Sequence, residues 1–416
     1  MYRKTWWLNS IVLYSILLIL VIYSYDMSET QYDILYLTEK ALSIDFLFLH
    51  LFCFILFFVG YILSKRMRVG KTKFINYTFS KETLNIDRLY NIYKILYKIC
   101  ILAYVIWYLN FLRINGLVIL NSFRSLSSLS AAMYQMRNNS GRIGGVTSFS
   151  EIGMVVIPIG VFLWKYSDKQ AIKKKCIFDC LIILALATFR AFAFSERLAL
   201  IELLVPALVM YISICDNIKL KKIIFLGPII GVLSLVIVFG VFEYSRSWLR
   251  HYYLYYDSYF EFIIQRILGY YCNAINTECL YLKYSPGLVL PYYSVEWLWK
   301  MPGLMNFYLE ITPFDFNSVN VDILYNHGNP EFNNPGGMLT LVKDFGIFFP
   351  LFQLIFGYVI GRVYRLFTRG NVLGLILYSY VYVVLLELPR YFLLGSTRSL
   401  AVYVGVLILM LQFKKK

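Results

Sequence analysis

Long apolar runs dominate the sequence, and each has the length of a helix that crosses a lipid bilayer. Ten runs of about 17–22 residues can be marked, and polar or charged connections separate them. They lie near residues 5–25, 46–64, 95–112, 147–166, 176–194, 198–215, 223–242, 340–361, 372–388 and 399–413. Because 59% of the residues are hydrophobic and only 15% are charged, the composition is far from that of a soluble protein. The sequence predicts an all-α integral membrane protein with about ten transmembrane helices, and it excludes soluble enzymes and disordered tails.

Charged residues in the connections predict how the helices are oriented. An even number of spans places both termini on one side, and basic residues near each terminus indicate that this side is the cytoplasm. Four further basic connections fall on the same side, at 65–94, 167–175, 216–222 and 362–371. We therefore predict a multi-pass protein whose N- and C-termini are cytoplasmic.

The connection at 243–339 is far longer than the others and divides the chain into three parts. Residues 1–242 are predicted to hold transmembrane helices 1–7 with short loops, residues 243–339 one large outer loop, and residues 340–416 transmembrane helices 8–10. The loop is dense in Tyr and Trp and contains six of the eleven prolines and two of the three histidines. Because loops beyond about 15 residues are usually functional, we expect this one to contribute to function.

Arginine is concentrated on the outer side of the predicted topology. The cytoplasmic side has 17 Lys and 7 Arg, whereas the outer side has 4 Lys and 11 Arg. A guanidinium offers a planar fork of donors that suits bidentate binding of phosphate or pyrophosphate, and lysine lacks this fork. The alternative for any single arginine is contact with a phospholipid headgroup. The outer arginines are Arg113, Arg124, Arg137, Arg142, Arg190, Arg197, Arg246, Arg250, Arg266, Arg390 and Arg398.

Arg190 is the outer arginine that the headgroup alternative explains least well. It lies about one turn inside the fifth apolar run, where a charge that does not face protein or water costs about 2.5 kcal/mol or more. Glu202 lies at a similar depth on the next run, because the turn between the two runs is tight. We predict a buried Arg190–Glu202 pair, which either is purely structural or supports a ligand-binding Arg197 at the mouth of the hairpin.

Two further arginines complete the predicted anion site. Arg246 and Arg250 follow the seventh run, and their i, i+4 spacing places them on one face of a helix that continues it. We expect Arg197, Arg246 and Arg250 to bind a phosphate group, with Arg190 beside them and Glu202 as structural support.

Two outer histidines are candidates for a general base. His327 lies in a turn-rich stretch that exposes its side chains, and His251 follows Arg250. An imidazole of near-neutral pKa suits proton transfer from an acceptor hydroxyl. We favour His327, because the arginines beside His251 would be engaged with phosphate. Both could instead be ordinary loop histidines, and the base would then be a carboxylate such as Asp257, Glu261 or Glu331; His50 is predicted to be structural.

Several other functions are excluded by motifs that the sequence lacks. There is no Walker A motif, so the chain does not power transport with its own ATPase. No Cys or His spacing is typical of a metal site. The net charge of +16 is explained by the cytoplasmic connections, and we predict no nucleic-acid partner.

Three patches of the sequence carry a family resemblance. Residues 334–346 read NPGGMLTLVKDFG, and the helix after them ends in GYVIGRVYR at 357–365. The hairpin turn reads FSERLAL at 194–200, and Arg137 is followed by fifteen residues and then Gly153. In these patches and in its topology the chain resembles the bacterial O-antigen polymerases of the Wzy type, which have a GT-C-like fold and a large periplasmic loop.

This resemblance implies a metal-independent glycosyltransferase of the bacterial inner membrane that needs no cofactor. Such an enzyme transfers a growing glycan from undecaprenyl pyrophosphate to the next lipid-linked repeat unit of an O-antigen or capsule. Its partners would be undecaprenyl-pyrophosphate-linked oligosaccharides, membrane lipids and, in some systems, a chain-length regulator, and Arg137 would join the pyrophosphate-binding arginines. Two alternatives remain open: an O-antigen ligase of the same architecture, and a flippase for the lipid-linked unit.

Overall fold

The computed structural model describes residues 5–66, 84–122, 132, 135–136, 139–194, 196–215, 225–249, 252–287, 290–312 and 315–414. These residues form helices and turns, and among them there is no β-strand, only one isolated bridge between Gly336 and Tyr391. The all-α prediction is confirmed for this part of the chain.

Eight α-helices precede the large loop. They are α1 (Ser10–Asp26), α2 (Glu29–Tyr36), α3 (Ile44–Arg66), α4 (Ile86–Ser122), α5 (Gly153–Tyr166), α6 (Gln170–Phe194), α7 (Leu198–Ile214) and α8 (Gly227–Glu243). A 3-10 helix, Thr147–Ile152, leads directly into α5. Helix α2 lies in a stretch that the sequence marked as a connection, and it is bent by 102° from α1.

Eight more helices follow from the large loop to the C-terminus. They are α9 (Tyr259–Tyr284), α10 (Glu296–Trp299), α11 (Leu304–Ile311), α12 (Phe316–His327), α13 (Leu341–Phe345), α14 (Phe349–Thr368), α15 (Val372–Glu387) and α16 (Thr397–Lys414). The large loop thus begins with the long helix α9 and continues with short helices.

Five helical segments of the described residues are long and apolar enough to cross a membrane. They are Ile44–Arg66, Ile86–Leu120, Thr147–Tyr166, Gln170–Phe194 and Leu341–Thr368. The bent pair α1 and α2 counts as a sixth if it is one span, and α7, α8, α15 and α16 are shorter apolar helices. The chain is therefore an α-helical, multi-pass membrane protein.

Helices α3 and α14 pack closely because glycines line their contact. A Cβ atom on Gly60 would lie 2.0 Å from the backbone oxygen of Leu354, and one on Gly357 would lie 2.1 Å from that of Phe57. Gly361 lies one turn beyond Gly357 on the same face and also contacts α3. This is the small-residue packing by which membrane helices bring their backbones together.

The large loop is tied to the membrane helices at several points. The Asp344 carboxylate accepts hydrogen bonds from the backbone N–H groups of Tyr292 (2.9 Å) and Tyr293 (3.1 Å). On α9, the Asn276 side chain accepts a hydrogen bond of 2.7 Å from the N–H of Ala41, in the connection before α3. These bonds fix the loop over one end of the helix bundle. At that end α6, α8 and α15 finish and α5, α7 and α16 begin.

Candidate functional site

Arginine and glutamate side chains, many of them buried, meet at this end of the bundle in two groups. The helix cluster is carried by the ends of membrane helices and their connections and consists of Arg142, Glu151, Arg190, Glu196, Glu202 and Arg398. The loop cluster includes partners from the large loop and consists of Arg197, Glu243, Arg266, Glu331, Glu387 and Arg390.

Arg190, near the end of α6, is the centre of the helix cluster. Its Nη1 pairs with Oε1 of Glu151, and its Nε and Nη2 donate to Oε2 of Glu196 at 3.0 and 2.8 Å. The guanidinium carbon lies 4.8 Å from the ring centre of Trp107. Glu196 also pairs with Arg142. Arg190 is buried, as its position in the sequence predicted, and its charge is balanced by protein carboxylates.

The predicted direct pair between Arg190 and Glu202 is wrong. Glu202 pairs instead with Arg398 of α16, whose Nη1 lies 2.6 Å from Oε2 of Glu202. Arg190 pairs with Glu151, in the 3-10 helix before α5. The hairpin does bring α6 and α7 side by side. Arg190 and Glu202 nevertheless each pair with a residue from a more distant part of the sequence. Glu202 keeps a structural role, since it is fully buried and balances Arg398.

The loop cluster begins at Arg197, the first residue before α7. Arg197 Nη1 lies 2.8 Å from Oε1 of Glu243, the last residue of α8. The other oxygen of Glu243 lies 3.5 Å from Nε of Arg266 on α9. Arg266 also pairs with Glu331, which is carried by the short 3-10 helix Pro330–Phe332. A continuous chain of alternating charges therefore runs from a membrane hairpin to the large loop.

Tyr270 lies at the centre of the loop cluster. The guanidinium carbons of Arg197, Arg266 and Arg390 lie 4.8, 5.3 and 5.7 Å from the centre of its ring. Each distance is within the range of a cation–π interaction. Three arginines from three separate parts of the chain thus converge on one buried aromatic ring.

The arginines of the loop cluster are charged despite their burial. Burial by itself lowers the pKa of Arg266, but Tyr270, Glu243 and Glu331 outweigh it and raise that pKa well above its ordinary value. Burial likewise lowers the pKa of Arg390, and Glu387, whose carboxylate lies 2.7 Å away, outweighs it. Fixed guanidinium groups can bind an anion that exchanges with one of the carboxylates.

Of the predicted site residues, Arg190, Glu202 and Arg197 are brought to this end of the bundle. Arg137, Arg250 and His251 lie outside the described residues, as does the side chain of Arg246. Arg266, Arg390 and Arg398 are outer arginines that were not predicted to belong to the site, and Glu151, Glu243 and Glu387 were not predicted to belong to it either. One signal was available: each of these three glutamates lies at the end of an apolar run.

His327 is held at another part of the large loop. Its Nδ1 lies 3.0 Å from Oε2 of Glu39, and its ring stacks on Tyr284 with 3.8 Å between ring centres. Its backbone oxygen accepts a hydrogen bond of 3.0 Å from the N–H of Glu39. Lys283 Nζ pairs with the same carboxylate at 2.6 Å. These contacts attach the end of α12 to the connection between α2 and α3.

His50 and Glu278 form a second buried pair, close to the turn after the large loop. His50 Nδ1 lies 2.8 Å from the carbonyl oxygen of Phe46, and its Nε2 lies 2.7 Å from Oε1 of Glu278. Oε2 of Glu278 accepts hydrogen bonds from the N–H groups of Met338 (3.1 Å) and Leu339 (2.9 Å). Because a carbonyl only accepts, Nδ1 donates to Phe46, and Nε2 is the ring nitrogen that faces Glu278.

The turn held by Glu278 lies against the segment that follows α15. A Cβ atom on Gly336 would lie 2.5 Å from Oε2 of Glu278, and one on Gly337 would lie 2.3 Å from the carbonyl oxygen of Leu388. Gly336 also forms the isolated bridge to Tyr391, whose hydroxyl lies 3.5 Å from Glu202. The turn is therefore pressed between α9 and the segment that carries Tyr391 and its neighbour Arg390.

Within the described ranges, no group of three or more His, Cys, Asp or Glu side chains is arranged to hold a metal ion. Comparison with known proteins found no family model, no curated protein and no solved structure that matches the chain.

Proposed function

We propose that the chain is a metal-independent glycosyltransferase that polymerises undecaprenyl-pyrophosphate-linked oligosaccharide repeat units. In this proposal about ten helices in a GT-C-like arrangement span the bacterial inner membrane, both termini are cytoplasmic, and the two clusters face the periplasm. The observation that carries it is the convergence of Arg197, Arg266 and Arg390 on Tyr270.

The chemistry of glycosyl transfer fits such a cluster. When the bond between the sugar and the pyrophosphate breaks, negative charge develops on the leaving group. Preorganised cations in a site that excludes water stabilise that charge strongly. Guanidinium groups bind phosphate oxygens bidentately, so several arginines can do this without a metal.

Glu331 is the carboxylate that an incoming pyrophosphate would displace. Its side chain is 35% exposed and is carried by the loop, whereas Glu243 is fully buried at the end of α8. Exchange of Glu331 for pyrophosphate would keep the charge of Arg266 balanced. Arg197 and Arg266 would then bind the donor, with Arg246, Arg250 and Arg137 as the further ligands predicted from the sequence.

The base of the proposed reaction is His327, His251 or a carboxylate of the large loop. His327 has a suitable chemistry, but in the resting state its Nδ1 is occupied by Glu39. It would act as a base through Nε2, in the tautomer that Glu39 favours by accepting from Nδ1.

Replacement of Arg197 by Lys tests the proposal, because it keeps the charge and removes the fork of donors. The purified protein in lipid nanodiscs is given a synthetic undecaprenyl-pyrophosphate-linked repeat unit, and the products are separated by length. The wild type should give a ladder, and Arg197→Lys should lose about 10²–10³-fold in rate at unchanged protein yield. Arg113→Lys, at an exposed arginine of α4, is the matched control and should keep the ladder.

The outcome also separates the alternatives. Transfer of the glycan only to a lipid A core acceptor would identify a ligase. Movement of the lipid-linked unit across a liposome membrane without any change in glycan length would identify a flippase. A full ladder from Arg197→Lys would remove the arginine cluster from the proposed mechanism.

A further inference from the structure

The residues that follow α8 form an aromatic segment, which we define as residues 244–260 and of which the structure describes 244–249 and 252–260. Its sequence reads YSRSWLRHYYLYYDSYF and contains six tyrosines, a tryptophan and two arginines. Tyr and Trp are enriched where a membrane meets water, because their rings are apolar while their polar tips form hydrogen bonds. The composition is that of a segment placed at the membrane surface.

The aromatic segment continues the outward face of a membrane helix. Along α8, the exposed apolar side chains of Leu233, Ile237 and Val241 recur every four residues, and Tyr244 follows at the next turn. At 1.5 Å per residue, the 17 residues of α8 extend about 26 Å, close to the thickness of the hydrocarbon core. The aromatic segment therefore begins at the level where the hydrocarbon ends.

The segment has one buried face and one exposed face. Phe262 of α9 packs against the rings of Tyr252 and Trp248, with ring centres 5.0 and 5.5 Å away. On the other face, Leu254 and Tyr255 are 68% and 77% exposed, and Phe260 is 66% exposed. These large side chains lie close together in the sequence, and exposed clusters of this kind mark interaction surfaces.

We propose that the aromatic segment lies in the membrane interface, with Leu254, Tyr255 and Phe260 inserted into the leaflet on the side of the two clusters. The partner is the lipid surface itself. The continuity with the exposed apolar stripe of α8 favours lipid over a protein partner, because an apolar helix in a membrane presents such a stripe to hydrocarbon. Tyr and Leu side chains gain free energy when they move from water into this region.

Insertion would hold part of the loop cluster in place. The hydroxyl of Tyr252 donates a hydrogen bond to Glu331, and the hydroxyl of Tyr259 donates one to the carbonyl oxygen of Gly240 in α8. The segment that contacts lipid on one face thus contacts the loop cluster on the other. This link does not depend on the reaction that the clusters perform.

A matched reference position exists elsewhere in the large loop. Tyr325 on α12 is 72% exposed, nearly as much as Tyr255, and its exposed neighbours Asp322 and Asn326 are polar. If both tyrosines are in water, a probe at either position should report the same polar environment. If the aromatic segment enters lipid, only Tyr255 leaves water.

Environment-sensitive fluorophores can distinguish these cases. Tyr255→Cys, Phe260→Cys and Tyr325→Cys are made in a chain carrying Cys180→Ser, because the other six native cysteines are buried. Each is labelled with a nitrobenzoxadiazole group and placed in nanodiscs of phosphatidylethanolamine and phosphatidylglycerol. Positions 255 and 260 should emit at shorter wavelength than 325, and lipids with a spin label near the headgroup should quench them several-fold more strongly.

Equal emission and equal quenching at 255 and 325 would overturn the proposal. Two test positions are used so that the proposal can still be tested if one variant does not fold. Phe260 lies on α9, and Tyr255 lies before it. Stronger quenching at 255 by iodide in water than by the lipid probe would likewise show that the segment points away from the membrane.

Discussion

The two arginine clusters use the same residue types but differ in how their charges are held. In the helix cluster, Arg190, Glu151 and Glu202 are almost completely buried, and the exposed member, Arg142, is a cation and not a carboxylate. In the loop cluster, one carboxylate, Glu331, is 35% exposed and belongs to a loop. A buried pair cannot lose one partner without leaving an uncompensated charge, whereas an exposed partner can be replaced by water or by an anionic ligand.

This difference assigns the two clusters different tasks. The helix cluster joins the connection before α5 to α6, and α7 to α16, so its ion pairs fix the arrangement of the membrane helices. The loop cluster presents guanidinium groups around Tyr270 with a carboxylate that can exchange. Changes in the helix cluster should therefore reduce stability, and changes in the loop cluster should alter ligand binding.

The largest effect is expected from Glu202→Leu, which leaves Arg398, whose side chain is only 23% exposed, without its partner. We expect the free energy of unfolding to fall by about 3–5 kcal/mol, because removal of one member of a buried pair exposes the full desolvation penalty of the other. Unfolding in detergent, followed by circular dichroism, measures the change.

The double variant Glu202→Leu with Arg398→Met is the control for this prediction. Two apolar side chains of similar size replace the pair without a remaining charge, so most of the lost stability should return. If the double variant is as unstable as the single one, the loss arises from packing, and the comparison between the clusters loses its electrostatic basis.

The next largest loss of stability is expected at the turn that Glu278 holds. Glu278→Leu removes the acceptor for the N–H groups of Met338 and Leu339 and should cost about 1–3 kcal/mol, because two buried donors lose their partner. Glu278→Gln keeps a carbonyl oxygen for these donors and an amide that can donate to His50, so its stability should stay near that of the wild type.

A measurement of enzyme activity tests whether this turn positions the site or only stabilises the fold. Because the turn is pressed against Leu388, Gly337→Ala should displace the segment that carries Arg390 and lower activity more than it lowers protein yield. Gly287→Ala is the control, since no atom lies within 4 Å of its Cβ position. Equal activity of the two alanine variants would show that the turn does not position the site.

The sequence predicts the helices well, because apolar runs of membrane length have few alternatives. Every run that we marked contains a helix, and the burial of Arg190 follows from its depth in a run. The bend between α1 and α2 was not predicted, since the α2 stretch is polar on one face and resembles a connection. Its Tyr32 and Tyr36 are buried, and the ring of Tyr36 packs against Phe332 of the large loop.

The partners of the charges could not be predicted in the same way. The hairpin spacing relates Arg190 only to residues of the next helix. Its partner Glu151 lies 39 residues before it, and Arg398 lies 196 residues after its partner Glu202. The convergence on Tyr270 likewise depends on tertiary packing. Positions along one helix carry a periodic signal, but contacts between distant helices leave none in a single sequence.

A smaller effect, of opposite sign, is expected from Glu331→Gln in the loop cluster. If pyrophosphate displaces Glu331, removal of its charge takes away a competitor, and the KM for the lipid-linked donor should fall a few-fold. Stability should change by about 1 kcal/mol or less, because Glu331 is partly exposed. A rise in KM would instead mean that Glu331 itself binds the substrate, and the exchange model would be wrong.

The smallest effect concerns the contact that holds the other end of the same loop segment. Burial tends to raise the pKa of Glu39, but hydrogen bonds from Lys283, Tyr284 and His327 outweigh it and lower that pKa below 4.5. The lowered value means that the contact stabilises the folded state above pH 4.5 and weakens as the pH falls through the lowered pKa. The same contact raises the pKa of Lys283 to about 12, so its contribution is complete below 10.5 and is lost as the pH rises through 12.

Spin labels at two exposed positions, Ile34 and Tyr325, would measure whether this contact is closed. The distance distribution should be narrow near pH 7 and broaden toward about pH 3, because protonation of Glu39 removes the charge that holds Lys283. Glu39→Gln should be broad at both pH values, and Glu29→Gln, at an exposed carboxylate of α2, should behave as the wild type. A narrow distribution at low pH would mean that the hydrogen bonds accepted by the His327 carbonyl oxygen hold the segment without the charge.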